Sequence, residues 1–220
     1  MGTSLNGSTT SSQPAIGAYQ NPYSIAGEYG YANVNAPLRS ATSLSYELPF
    51  GKGKPFASNI NHAADYIIGG WVINTVSVFQ SGFPLQIFQS NLNSQYGYGV
   101  QRPNMTSGID LATSGGLEQR LYNYINKAAF SPAPAATFGN TPRTLGAVRG
   151  PTQANWDASI FKNFVFGERV KGQFRAEALN AFNTPYFYSP NTNLSSGAFG
   201  QINSQANFAR QLQMAIRVFF

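Results

Sequence analysis

Residues 210–220 read Arg210-Gln-Leu-Gln-Met-Ala-Ile-Arg-Val-Phe-Phe220, and their alternation decides the fold. Successive side chains of an extended chain point to opposite faces. Leu212, Met214, Ile216, Val218 and Phe220 therefore share one face, and Gln211, Gln213, Ala215, Arg217 and Phe219 share the other. One face suits lipid and the other suits water, the pattern of a strand in a transmembrane barrel. About 9–11 residues suffice for a tilted strand to cross the hydrocarbon, and this stretch is long enough. A half-buried strand of a soluble sandwich carries the same alternation. The rest of the chain has to separate the two readings.

Composition favours the membrane. Only 10% of the 220 residues are charged, against about 25% in an ordinary soluble domain. Aromatic residues reach 14%, with 17 Phe and 12 Tyr, too many for a disordered polar tail. Mean hydropathy is −0.21 despite the scarcity of charge, because apolar residues alternate with Ser, Thr, Asn and Gln. No apolar run is long enough for a transmembrane helix. The polar N-terminus, Met1–Asn21, lacks the basic start and apolar core of a signal peptide. The absence of cysteine excludes disulfide staples, Cys-ligated metal sites and a thiol nucleophile. The net charge of +6 comes from Lys and Arg scattered singly. Nucleic-acid binders cluster such residues on one face, so no nucleic-acid partner is expected.

Six strands are expected. They are 40–48, 70–80, 85–89, 154–164, 170–182 and 210–220. The first has Thr42, Leu44, Tyr46 and Leu48 on one face and stops at Pro49, which cannot donate to a ladder. Short turns are expected at 81–84 and 165–168, with Gly167 in a left-handed conformation. Long loops are expected at 50–68, 90–152 and 183–209. Outer-membrane barrels have short periplasmic turns and long extracellular loops, so this alternation places Phe220 at the periplasmic end. Within 90–152, the apolar spacing of Leu117, Leu121, Tyr124, Ile125 and Ala128 predicts an amphipathic helix over 117–129.

Centring the 165–167 turn between the fourth and fifth strands pairs residues whose numbers sum to 332. Trp156, Ala158 and Ile160 then face lipid opposite Ala176, Phe174 and Gly172. Asp157 lies opposite Arg175 as an ion pair on the water-filled side, and Ser159 opposite Gln173. A charge at the lipid midplane costs roughly 2–4 kcal/mol, so this register puts charge where it is tolerated. Lys162 is the exception on the lipid face, and its place near a strand end is expected to let it snorkel.

Several segments together resemble the C-terminal end of Oar-like TonB-dependent outer-membrane receptors. They are Tyr46-Glu-Leu-Pro-Phe-Gly-Lys-Gly-Lys54, Gly70-Trp71, Gln80-Ser-Gly-Phe-Pro84, Phe138-Gly-Asn140 and Arg149-Gly-Pro151. Asn155-Trp-Asp-Ala-Ser-Ile-Phe-Lys162, Phe174-Arg-Ala-Glu-Ala-Leu-Asn-Ala-Phe-Asn183, Phe199-Gly-Gln-Ile202 and the terminal strand complete the set. The block 155–183 is the most specific. Leu212, Met214, Ile216, Val218 and Phe220 also resemble the membrane-insertion signal of outer-membrane proteins. The resemblance implies an all-β fold: antiparallel transmembrane strands forming the C-terminal part of a 22-stranded barrel with an N-terminal plug. It implies uptake of a substrate across the outer membrane of a Gram-negative bacterium, driven through TonB. The implied partners are outer-membrane lipid, the barrel-assembly machinery, the remaining barrel strands and the plug. TonB acts only indirectly, and no cofactor is implied.

Six strands are too few for such a barrel, which predicts that the chain is a C-terminal fragment. Residues 1–37 are expected to be a polar loop region ending a preceding strand, and 38–220 to be barrel. The alternative is a small closed barrel acting as porin or adhesin, with 1–37 supplying two more strands.

Chemistry has few candidates. His62 could act as a base in an outer-membrane hydrolase, yet no Gly-x-Ser-x-Gly elbow occurs. Gly51-Lys-Gly-Lys54 could cradle a phosphate, yet it is no P-loop and reads as a turn. Asp110 and Glu118 could pair, but loop separates them. Tyr96, Tyr98, Tyr122, Tyr124, Tyr186 and Tyr188 could contact a glycan or peptide, or sit in an interfacial girdle. No catalytic, cofactor or metal residue is expected, and no activity as an enzyme.

Overall fold

The structure, a computed structural model, describes residues 19–96, 98–166 and 170–220. The chain divides into two compact units that do not follow chain order. One comprises Leu38–Gln80, Gln153–Pro185 and Asn207–Phe220. The other comprises the described residues up to Pro37 together with Ser81–Thr152 and Tyr186–Ala206.

The first unit is one antiparallel sheet. In chain order its strands are β1 (Arg39–Glu47) and β2 (Trp71–Gln80), then β7 (Gln153–Phe166), β8 (Val170–Leu179) and β9 (Gln211–Phe219). They lie side by side in that order, each hydrogen-bonded to the next. These are the expected first, second, fourth, fifth and sixth strands, shifted by a few residues at their ends. A short helix, α1 (His62–Ile68), lies inside the expected loop 50–68. Its Asn61 side chain caps the first turn by accepting from the Ala64 N–H at 2.7 Å, and Gly69 closes it.

The expected third strand is not in this sheet. Of its residues only Leu85 enters a strand, β3 (Pro84–Leu85), which pairs with β6 (Leu145–Arg149) in the second unit. A further two-stranded ladder joins β4 (Asn104–Met105) to β5 (Phe130–Ser131). The described residues thus form nine strands rather than six, and the all-β antiparallel class holds.

The second unit takes in the expected long loop 90–152 and most of 183–209, whereas 50–68 belongs to the first unit, and it has a core. Leu85, Ile87, Tyr124, Ile125, Ala129, Phe130, Leu145, Val148, Leu194, Phe199 and Ile202 are buried together. With so few ladders, side-chain amides take the place of backbone partners, because a buried N–H or C=O needs one. Gln89 holds Ala133 as a strand neighbour would: its amide donates to the Ala133 carbonyl at 2.9 Å and accepts from the Ala133 N–H at 2.8 Å. Asn93 clasps Thr137 and Ala136 in the same way, each at 2.7 Å.

A buried ion pair closes the network. Arg102 Nη1 lies 2.9 Å from Glu28 Oε1, and the two side chains are 2% and 5% exposed. Gln20 accepts from the Arg102 N–H at 2.6 Å and donates to the Gly139 carbonyl at 2.8 Å, so both chain segments are tied to one charge pair. Burial lowers the basicity of the Arg102 guanidinium, and Glu28 opposes that shift.

The expected helix 117–129 is broken. Only α2 (Leu117–Arg120) is helical, followed later by a 3₁₀ turn over Lys127–Ala129 that the Asn126 side chain caps. Between them Tyr124 and Ile125 are pulled into tertiary pairing. The Tyr124 N–H donates to the Gly200 carbonyl at 2.8 Å, and Ile125 bridges Ala112. These long-range bonds override the local helical periodicity.

Candidate membrane-spanning surface

The register across the five strands sorts every side chain onto one of two faces. Directly opposed residues of antiparallel strands lie on the same face. One row across the sheet is Leu44, Thr75, Ala158, Ala178 and Leu212; the next is Tyr46, Ile73, Ile160, Ala176 and Met214. Behind them, on the other face, runs Ser45, Asn74, Ser159, Glu177 and Gln213. The two rows of the first face are apolar but for Thr75, and the row behind them is polar throughout; elsewhere the second face also carries Val72, Val76, Val78 and Phe161. On β9, Leu212, Met214, Ile216 and Val218 are 69%, 73%, 77% and 50% exposed, a continuous apolar stripe open to the surroundings. Phe220 follows the strand end and is also exposed. Such a sheet is stable when one face meets hydrocarbon and the other meets water.

Charge obeys the same division. Among the described strand residues, Arg39, Glu47, Asp157, Lys171, Arg175, Glu177 and Arg217 all project from the polar face, and Lys162 alone projects from the apolar one. The expected partners on the polar face need correction. The β7–β8 register pairs Ile160 with Ala176, Phe161 with Arg175 and Ser159 with Glu177, so paired numbers sum to 336 rather than 332. Asp157 and Arg175 therefore do not form the expected lumen ion pair. The Asp157 carboxylate accepts from the Asn180 N–H at 2.8 Å. Arg175 lies 2.8 Å from Glu177, and its guanidinium sits 4.4 Å from the centre of the Phe161 ring. The reason is strand length: β7 runs on through Val165 and Phe166, and β8 starts at Val170; Gly167, expected in a left-handed conformation, lies outside the described residues. A slip of four is even, so both faces survive it.

Lys162 does not snorkel outward. It is 3% exposed, and its Nζ donates to the carbonyl of Gly69, which closes α1. The rings of Trp71 and Phe164 flank the ammonium at 5.4 and 5.5 Å. Trp71 shares the apolar face, and its Nε1 donates to the Ile67 carbonyl at 2.9 Å. Two side chains of the apolar face thus hold the last turn of α1. Tyr66 adds a third tie, donating its hydroxyl to the Val165 carbonyl at 2.7 Å. Sequence reading had the means to find α1: Asn61 in a capping position and Gly69-Gly70 after Ile68 are start and stop signals.

The remaining candidates fall apart as sites. His62 is exposed at the start of α1. In Gly51-Lys-Gly-Lys54 the Lys52 N–H already donates to the Asp65 carboxylate at 2.8 Å, and Lys54 pairs with Glu47 at 2.8 Å. A carboxylate stands where an anion would bind. Asp110 and Glu118 are exposed loop and helix residues. Tyr124 is buried with its hydroxyl on the Arg149 carbonyl, whereas Tyr96, Tyr122 and Tyr188 are exposed and Tyr98 packs edge-on against Phe138. Among the described residues no group of His, Asp and Glu could hold a metal.

A family described as an outer membrane beta barrel domain matches residues 2–213. No match was found among curated proteins or among solved structures.

Proposed function

The chain belongs to the outer membrane beta barrel domain family and lies in the bacterial outer membrane; from that premise we propose that it is part of the barrel wall of an Oar-like TonB-dependent receptor. The wall separates lipid from a substrate pathway and performs no reaction of its own. Its apolar face meets lipid, and its polar row of Ser45, Asn74, Ser159, Glu177 and Gln213 lines the interior.

The observation that carries this reading is a parity. The sheet has five strands, so its outer strands β1 and β9 run in the same direction. Backbone groups on those edges need partners inside a membrane, which only closure provides. Antiparallel closure requires an odd number of further strands between β9 and β1. Two copies joined head to tail would set β9 of one parallel to β1 of the next, so the chain does not close with itself by repetition. A small eight-stranded barrel needs three more strands, one more than the six-strand expectation required. Residues 20–37 contribute a 3₁₀ turn over Ile25–Glu28 and no strand. A large barrel supplies the odd complement without difficulty.

The test uses the native polypeptide. Antibodies against this chain should detect, in outer membranes, a polypeptide several times larger than 23.8 kDa. A native product of that size giving a defined single-channel conductance after reconstitution would overturn the proposal.

A further inference from the structure

The connection from β1 to β2, residues 48–70, is built as if for a second environment. Ile67 and Ile68 are 72% and 42% exposed, and Phe56 and Phe50 are 58% and 41% exposed with their rings 5.7 Å apart. Tyr66 is exposed as well, yet its hydroxyl is committed to the end of β7. The segment is held rigidly all the same: Trp71 and Lys162 bind the carbonyls of Ile67 and Gly69, and the Asp65 carboxylate binds the Lys52 N–H. A rigid element with so much outward apolar area is costly in water. Because Trp71 and Lys162 belong to the apolar face, α1 sits on the outer side of the strand ends rather than in the interior.

We propose that α1, with Phe50 and Phe56, is an interfacial anchor that seats on the phospholipid surface beside the barrel wall. The proposal rests on the reading of the apolar face as the lipid face, with which α1 is continuous. An element of this kind lies in the plane of the interface with its apolar side some 5–10 Å into the headgroup and acyl boundary. Ile67, Ile68 and Phe56 supply the buried side. Trp71 and Tyr66 sit at headgroup level, where amphipathic rings collect. Lys52, exposed on the same connection, faces the lipid phosphates. The contact also explains why the single charge on the lipid face is tolerated: the helix that anchors to the membrane carries the carbonyl that holds it.

These 220 residues hold no cysteine, so with any cysteine elsewhere in the polypeptide replaced by serine, one introduced cysteine reports one place. Ile67→Cys, Phe56→Cys, Leu212→Cys and Ser107→Cys, each carrying a polarity-sensitive fluorophore, are compared in the full polypeptide reconstituted with bromine-labelled phosphatidylethanolamine and phosphatidylglycerol. Quenching at Ile67 and Phe56 comparable to that at Leu212, and several-fold above that at Ser107 in the second unit, is expected. Quenching at Leu212 with Ile67 and Phe56 as unquenched as Ser107 overturns the anchor and leaves the lipid face standing. If Leu212 itself is unquenched, the lipid-face reading fails and the anchor falls with it.

Discussion

Replacing Lys162 by Met separates two accounts of a charge on a lipid-facing surface. If the lysine reached outward to the headgroups, its loss would remove a penalty of about 0–1 kcal/mol, the charge cost near an interface. The variant would be as stable as the parent or slightly more so. The structure demands the opposite sign. Lys162 donates to the Gly69 carbonyl in a buried setting, and a hydrogen bond involving a charged group is worth about 1.5–3 kcal/mol. The flanking rings of Trp71 and Phe164, at 5.4 and 5.5 Å, add about 0.5–1 kcal/mol each. Met fills a similar volume, so little is lost to a cavity. Setting the interface relief against these losses leaves a destabilisation of about 3 kcal/mol, or roughly 150-fold in the folding equilibrium. Urea unfolding from lipid vesicles, followed by the mobility shift of unheated samples on gels, measures it. A Lys162→Met midpoint at or above that of the parent would refute the reasoning.

Three further outcomes follow from the same geometry. The pair Phe161→Cys and Arg175→Cys should form a disulfide on mild oxidation, because directly opposed positions bring their Cβ atoms close. Asp157→Cys with Arg175→Cys should not, since four residues of strand separate them by roughly 14 Å, and efficient cross-linking of that pair would restore the register summing to 332. Arg102→Met should destabilise the second unit by about 3–5 kcal/mol, as Glu28 is then left buried without a counter-charge. Adding Glu28→Gln should recover part of the loss, read as protection of residues 98–141 from protease over a urea series. Gly82→Ala should disrupt the same unit, because its Cβ would stand 1.7 Å from the Gly150 carbonyl oxygen. Gly197→Ala, with nothing within 4 Å, should leave the protease pattern unchanged.

Alternation was the most legible signal in the chain. It located all five sheet strands and assigned both faces, since face depends only on whether residue numbers are odd or even. It could not fix register. Val165 and Phe166 continue β7, but a strand end set by two extra residues shifts every pair while leaving the pattern intact. The Asp157–Arg175 pair was lost for that reason alone. The core of the second unit was illegible for a different reason: its backbone groups are satisfied by Gln89, Gln101, Asn93 and Gln20 rather than by ladders. Such amides read as loop polarity in a sequence. Some short motifs did mark structure there. Gly82 of Gln80-Ser-Gly-Phe-Pro84 meets Gly150 of Arg149-Gly-Pro151, and Gly139 of Phe138-Gly-Asn140 meets the Arg102 backbone. Each motif sits where two backbones pass too closely for a side chain.

The strand count has a consequence beyond arithmetic, because each strand reverses the direction of the chain. Counting 85–89 as a sheet strand put the connections 50–68, 90–152 and 183–209 at one end of the sheet and the short turns at the other. With that segment paired to Leu145–Arg149 instead, β2 lies directly against β7. Residues 48–70 then emerge from the end at which β7 stops, β8 starts and Phe220 follows β9, opposite to the end from which 81–152 and 180–210 depart. A rule that ranks ends by loop length would have assigned this connection to the extracellular side. The structure places it at the end shared with Phe220, where it forms a compact capped helix bonded to Trp71 and Lys162. Residues 81–152 and 186–206 belong to a unit with its own core, and length alone does not distinguish these connections from the one that carries α1. What distinguishes them is where their apolar residues go: inward for Leu85, Ile125 and Phe199, outward for Ile67 and Phe56.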